Sequence, residues 1–347
     1  MVYLHNPRPF ILLFFLFVCI TLLIVLCVLT IPTHTISEPL SNEDVKLQTF
    51  EEELILGCIM KNTSDSFEYV SNWILNFKKY VPKLKLYIYE NNSTDDTSQK
   101  IALFHNNNLD WTMCKSEMID TSPEFFPVRQ QEGVCRISVI AHARNQLVKM
   151  ISLNTSTETE SPIMFLDADF TKGPSLEPLL RILNKFKNME VDAIMANGKT
   201  QSGNYYDIFA LRAHQFSLLG PELVGEHFWK TYVTEKQFWV NKEPNILVPV
   251  FSAFAGLGIY KHACLPYLNY SELPTAALYD MYAYIVTTYP DHESVQLYRK
   301  KFPEKIVFIP NSGHQDPVCC EHITVHANLW KNGFGRLFIH SDLDFYW

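Results

Sequence analysis

The chain has 347 residues, with 37 acidic and 29 basic side chains giving a formal net charge of −8, and 47% of its residues are hydrophobic. That much apolar surface can offset the entropy of folding, which excludes a disordered polymer, and the acidic balance excludes a general nucleic-acid binder. Glycine is scarce, at 12 residues, and neither a P-loop consensus nor a GxGxxG run occurs, so those two phosphate cradles are excluded.

Residues 10–31 carry no charge and only Thr21 and Thr30 as polar exceptions. As a helix they would reach about 33 Å, enough to cross a hydrocarbon core, and they are too long for the apolar region of a cleaved signal peptide. Arg8 precedes the span, while Glu38, Glu43 and Asp44 follow it, a bias that favours a cytoplasmic tail and a luminal body. The expected layout is a short tail over 1–9, a signal-anchor over 10–31, a polar stem over 32–50 and a luminal domain over 51–347. That is a single-pass type II protein of the Golgi or endoplasmic reticulum membrane. Six cysteines lie outside the span, at 58, 114, 135, 264, 319 and 320; an even luminal count permits disulfides without fixing their connectivity. Sequons at Asn62, Asn91, Asn92, Asn154 and Asn269 fit a luminal glycoprotein.

Beyond the stem, apolar runs alternate with helical patterns. Leu54–Met60 reads as a buried strand, and Phe67, Val70, Ile74 and Phe77 recur at helical spacing. Leu84–Tyr89 reads as a strand, 96–104 as a helix, 134–152 as a helix, 162–170 as a strand, 175–186 as a helix and 192–196 as a strand. This β-α alternation predicts an α/β fold with a mostly parallel sheet flanked by helices on both faces, whose ligands bind beyond the carboxyl ends of the strands.

The loop after the second strand is Glu90-Asn91-Asn92-Ser93-Thr94-Asp95-Asp96. Its short polar groups suit the hydroxyls and amides of a nucleoside, although a simple capped turn explains them equally well. If a nucleoside sits there, Asn91 and Asn92 carry no glycan. The apolar run Ile163-Met164-Phe165-Leu166 ends in Asp167-Ala168-Asp169, two carboxylates at an open strand terminus. Hard oxygen ligands so placed suit Mg²⁺ or Mn²⁺, and a cation relieves their mutual repulsion. The same residues match the DxDxT opening of haloacid-dehalogenase-type phosphatases, but that motif closes the first strand of its domain, and here more than 100 residues of strand-helix pattern precede it.

Taken in order, the anchor and stem, the ENNSTDDT loop, Ala143-Arg144-Asn145, FLDADF, the YDIFALR segment from Tyr206 to Arg212, FAGLGIY from Phe254 to Tyr260, and Cys320-Glu321-His322 with His326 resemble GT-A-fold glycosyltransferases. The likeness is greatest to the fungal capsule-associated α-1,3-mannosyltransferase family. The resemblance implies a Rossmann-like GT-A sheet and transfer of a sugar from a nucleotide donor to a glycan or glycoprotein hydroxyl, with GDP-mannose favoured and a UDP-sugar the alternative. It implies that Asp167 and Asp169 form the metal and diphosphate motif, that Glu90 to Asp96 line the nucleoside pocket, and that Arg144 lies near the donor phosphates, where a surface ion pair is the plainer role. The family's aromatic-glycine block has a GG-containing version, whereas this chain has Ala255-Gly256.

Asp207 and Arg212, five apart, are expected to hold donor or acceptor hydroxyls or to pair with each other. Gly256 and Gly258 would admit close backbone approach to the sugar, or mark a bulged strand. His322 and His326 would share a helical face, so either could complete the cation's shell or touch phosphate, with His322 the stronger candidate for both. If configuration is inverted, Glu321 or Asp207 is the candidate base; the resemblance points to retention, which needs none. A luminal glycan-binding protein that kept the fold without turnover is the reading from another class, and the intact D-x-D argues against it.

Overall fold

Strand β1 (Leu54–Met60) and strand β2 (Leu84–Asn91) form because their apolar runs are buried on both faces. The computed structural model describes residues 36–37 and 47–346, apart from 38–46, 123, 127, 131–132, 157, 171, 235–242 and 311–315. The proposed tail, anchor and most of the stem lie outside the described residues. Among the described residues no helix is long and apolar enough to cross a membrane.

Helix α1 (Ser64–Lys78) follows β1, helix α2 (Thr97–Asn106) follows β2, and strand β3 (Thr112–Glu117) comes next. Helix α3 (Arg136–Asn154), strand β4 (Ile163–Asp167), helix α4 (Leu176–Phe186) and strand β5 (Ala193–Lys199) continue the alternation. Strands β6 (Ile246–Val250) and β7 (Leu257–Tyr260), helices α5 (Ala276–Thr288) and α6 (Glu321–Lys331), and strand β8 (Leu337–Tyr346) complete the sheet and its cover.

Across these eight strands the order is β6-β8-β5-β7-β4-β1-β2-β3. β1 runs parallel to both β2 and β4, β2 to β3, and β8 to β5. The sheet is mostly parallel as expected and mixed: β7 lies antiparallel between β4 and β5, and β6 lies antiparallel to β8. Side chains alternate along each strand. Ile55, Tyr87, Tyr89 and Phe165 pack beneath Val139, Leu147 and Ile151 of α3. Leu56, Ile88, Met164 and Leu166 pack on the other face against α1, α2 and α4. Helix α4 alone buries Leu179, Leu180, Ile182, Leu183 and Phe186, each contributing roughly 1.5–3 kcal/mol. The six cysteines outside the proposed anchor are free thiols in this fold.

The insertion of β7 turns on Ala255 and Gly256, both in the left-handed region at φ 51° and 92°. Alanine is strained there by roughly 1–2 kcal/mol, yet Ala255 is fully buried. Across from it, a Cβ built on Gly198 would lie 2.6 Å from the Ala255 carbonyl oxygen and 2.7 Å from the Ala255 Cβ. Backbone cannot yield at those distances, so Gly198→Ala is expected to destabilise the protein by about 2 kcal/mol, seen as a lower urea midpoint; an unchanged midpoint would show that the turn is not tightly held.

Candidate active site

β4 delivers Asp167 to the carboxyl edge of the parallel strands, with Asp169 two residues beyond. The Asp167 N–H donates to the Gly256 carbonyl at 2.8 Å, so the Ala255-Gly256 turn fixes where β4 ends. Asp207 secures that turn: its Oδ2 accepts the Ala255 N–H at 3.3 Å and its Oδ1 accepts the Ala210 N–H at 3.2 Å. Burial pushes the Asp207 carboxyl up to about 6 against the lowering effect of those backbone donors.

Beside this edge a cavity of about 450 Å³ opens. Its walls include Lys61, Asn62 and Thr63 after β1, Asn91 at the end of β2, Arg136 and Arg144 on α3, Asp167 and Asp169, and Glu321 at the start of α6. Asp169 is exposed at the rim, yet partial burial against the wall, followed by the Asp167 charge, pushes its carboxyl up to about 6. A larger cavity, about 600 Å³, lies at the opposite end of the strands. Its cations are occupied, Lys187 by Glu160 at 2.8 Å and Lys261 by the Met189 carbonyl at 2.9 Å, and it holds neither member of the D-x-D pair.

Arg144 is the hub of the first cavity. Its Nη2 donates to Asp167 Oδ1 at 3.0 Å and its Nε to Glu321 Oε1 at 3.2 Å, joining residues 177 apart in sequence. The guanidinium lies 4.8 Å from the Phe254 ring centre and 5.8 Å from that of Tyr270. Burial works against its charge, but Asp167 and then Glu321 more than offset this, so its pKa is raised. The plainer expectation of a surface ion pair is corrected: the pair is buried and double.

The structure does not put His322 with the two aspartates. Its ring stacks on Phe254 at 3.9 Å and meets Tyr270 edge-on at 5.7 Å, and both nitrogens are enclosed, with Nε2 no nearer than 3.4 Å to Glu321. Burial first, then Arg144 and His326, hold its pKa well below the ordinary value. Among the described residues no three His, Cys, Asp or Glu side chains could hold a metal together, so the expected set of Asp167, Asp169 and His322 is not assembled, and of that set Asp167 and Asp169 are the carboxylates left in the cavity. His326 does share the helical face, but its Nδ1 is bonded to Ser252 Oγ at 2.9 Å and its Nε2 to Tyr260 Oη at 3.0 Å.

The expected nucleoside loop is corrected in part. Of Glu90 to Asp96, Asn91 lines the cavity. Glu90 accepts the Ser93 N–H at 2.8 Å and the Ser116 hydroxyl, and these bonds outweigh burial to keep its carboxyl below the ordinary value. Asn92, at φ 52°, is tied through both side-chain atoms to the Ile119 backbone. Ser93 accepts the Asn62 N–H, Asp95 accepts those of Ser64 and Thr97, and Asp96 accepts the Ser64 hydroxyl. These groups knit the β2 loop to the β1 loop and leave the cavity to Asn91. Asn91 is buried and Asn92 is tied at both side-chain atoms, so a glycan on either would displace these contacts.

The proposed Asp207–Arg212 pair is also corrected. Residues 208–210 form a turn and Asp207 precedes it, not at a strand exit, and Arg212 makes a fully buried pair with Glu222 at 3.0 and 3.1 Å while donating to Tyr282 at 3.1 Å. Neither Asp207 nor Gly256 lines the cavity; both act from behind it, on the position of Asp167. Sequence reasoning missed Arg136, Lys61 and Thr63. The rule that loops follow the carboxyl ends of strands pointed to 61–63 as directly as to 90–96, and a lone arginine opening a helix was the available signal for Arg136.

The residues fit a hard divalent cation. Two carboxylates share one cavity, burial and then the charge of Asp167 hold up the pKa of Asp169, and a cation there would take its further ligands from water or phosphate oxygens.

No curated protein sequence matches the chain. Among solved structures it is similar to a mannosyltransferase from Pyrobaculum calidifontis in complex with GDP-Man and Mn²⁺ (14% identity, 66% of this chain and 50% of that one, TM-score 0.37). It is also similar to S. aureus TarS 1-349 (13%, 85% and 60%, 0.38) and to glucosyl-3-phosphoglycerate synthase from Mycobacterium tuberculosis with Mn²⁺ and UDP (14%, 71% and 67%, 0.33). The chain spans about half of the first and 60% of the second, and likenesses this distant carry no conclusion about chemistry. The protein family described as Cryptococcal mannosyltransferase 1 matches residues 62–288. That match takes in more than half of the chain, β1's loop through α5 with the D-x-D pair between them, and the protein belongs to this glycosyltransferase family.

Proposed function

We propose that the protein transfers mannose from GDP-mannose to a hydroxyl of a glycan or glycoprotein, with its catalytic domain on the luminal side of a Golgi or endoplasmic reticulum membrane and residues 10–31 as the anchor. One observation carries the catalytic part: a single cavity at the carboxyl edge of the sheet gathers Asp167, Asp169, Arg144, Arg136 and Glu321 in a chain of a mannosyltransferase family. Asp167 and Asp169 would hold Mn²⁺ or Mg²⁺, which when bound supplies charge stabilisation to a departing diphosphate.

The chain's own groups do the rest. Arg144 locks Asp167 and Glu321 in place, so these two carboxylates need no reorganisation when charge develops nearby. Asp207 sets the depth of Asp167 through the Ala255-Gly256 turn. Glu321, on the cavity wall with 9% of its side chain exposed, is the group placed to take the acceptor proton if configuration is inverted; Asp207 is not, because it does not line the cavity.

The test is donor turnover by full-length protein with Mn²⁺ across GDP- and UDP-sugars. Consumption of GDP-mannose, stopped by a chelator, is the expected result. Turnover of UDP-sugars alone would overturn the donor. Phosphate release from small phosphoesters would support the phosphatase, and no turnover by demonstrably folded protein would support the glycan binder.

A further inference from the structure

The cavity has two cations that the roles above leave unused. Arg136 and Lys61 both line it, both are exposed, and neither side chain has an ion-pair or hydrogen-bond partner among the described residues. Arg144, by contrast, is committed. It is buried, held by two carboxylates at its N–H edges, and flanked by Phe254 and Tyr270. To meet an incoming anion it would have to release Asp167 or Glu321, leaving a buried carboxylate unpaired.

The position of Arg136 is unusual in its own right. It is the first residue of α3, a 19-residue helix with no acidic residue in its first turn and no side-chain cap from Cys135. A cation at this end faces the positive pole of the helix, where an anion belongs. Asp169, which lines the same cavity, offsets part of that charge through space, but no hydrogen bond or ion pair holds the guanidinium in place, which leaves it open to a ligand. An independent feature of the same wall agrees: Thr63 is 8% exposed, lines the cavity, and its Oγ1 has no hydrogen-bond partner.

We infer that Arg136, with Lys61 on the neighbouring loop, binds the phosphates of the nucleotide, and that Arg144 is a positioning residue that does not touch them. This rests on the glycosyltransferase reading of the cavity. It reverses the assignment that the family resemblance gave to Arg144. Asp167, Asp169 and Glu321 are balanced by Arg144, Arg136 and Lys61, so a diphosphate arriving with one divalent ion keeps the local charge near zero.

Calorimetric titration of full-length protein with GDP, UDP and inorganic pyrophosphate, each with Mn²⁺, tests this. Arg136→Ala is expected to weaken whichever nucleoside diphosphate the wild type binds by about 10- to 100-fold, and pyrophosphate by the same factor. Arg136→Lys should recover part of the loss and Lys61→Ala should show a smaller one. Melting temperatures without ligand should be equal to wild type or slightly higher, since an unfavourable helix charge is removed. Equal binding by wild type and Arg136→Ala would overturn the inference while leaving the proposed function standing. So would a loss for the nucleotide without a loss for pyrophosphate, because Arg136 would then contact the nucleoside. A wild type that binds none of the three overturns the glycosyltransferase reading and the inference with it.

Discussion

Asparagine at both Asp167 and Asp169 is expected to lower sugar transfer by about 1,000-fold while the protein stays folded. The substitution keeps side-chain volume and removes only charge. Arg144 retains an acceptor at position 167, since an amide oxygen can take the Nη2–H bond now made to Asp167 Oδ1, and it keeps its second partner in Glu321. At position 169 neutralisation favours folding. The Asp169 carboxyl, near pKa 6 in the folded protein, sits above its unfolded value of about 3.9. The stability linked to it is present below about pH 4 and lost as pH rises through 6. At pH 7.5 the wild type therefore carries an unfavourable charge that asparagine lacks. Asp169 reaches solvent, so screening reduces the gain, and for Asp169→Asn alone a melting temperature equal to wild type or about 1–2 °C higher is expected without metal. The order reverses with Mn²⁺, which should raise the melting temperature of the wild type and not of the variant. Transfer persisting in the double variant, or in wild type stripped by a chelator, would end the metal-assisted account. Loss of transfer together with loss of the fold would show that the pair is structural.

The strands that place this pair were readable because their apolar content is continuous. Ile163 to Leu166 sits at the centre of the sheet, buried on both faces, and nothing but a strand suits such a run bounded by polar turns. β7 was harder. Leu257–Tyr260 is short, includes Gly258 and follows a left-handed turn, so its sequence marks a bulge or a loop as well as a strand, and its antiparallel direction is set by neighbours distant in the chain. β8 interrupts its apolar run with His340, Ser341 and Asp342 in succession before Leu343, Asp344 and Phe345, and gives only a weak signal. The site divides in the same way. Asp167 and Asp169 are local to one strand end and were legible. The role of Arg144 was not, because it depends on Glu321, which reaches the same cavity from a helix 177 positions away. Asp207 and Arg212 were paired by proximity, but the turn at 208–210 between them sends one to the Ala255 backbone and the other to Glu222. His322 was a metal candidate because it shares a helical face with His326, and only the stack on Phe254 shows that it belongs to the core.

That core holds a titration that should be visible in solution. His326 is fully buried, bonded at both nitrogens to hydroxyls, and burial depresses its pKa to about 3. Its unfolded value is about 6.5. The stability linked to it is present above pH 6.5 and lost as pH falls toward 3, at about 1.4 kcal/mol per unit, so that about 3 kcal/mol is gone by pH 4. The whole protein will not display this directly. Asp169 and Asp207, both near 6, shift stability the other way over the same range, gaining it as pH falls. His326→Gln isolates the imidazole, because the two aspartates and His322 are common to both proteins and cancel. At pH 7 the wild type should be more stable by about 1–2 kcal/mol, the value of the hydrogen bonds an amide makes less well. By pH 4 the wild type has lost about 3 kcal/mol relative to the variant, so the order should invert, with the glutamine protein having the higher urea midpoint. A difference between the two proteins that stays constant from pH 7 to pH 4 would mean that His326 takes up its proton in the folded state as readily as in the unfolded one, and that the Ser252–His326–Tyr260 network is open to water.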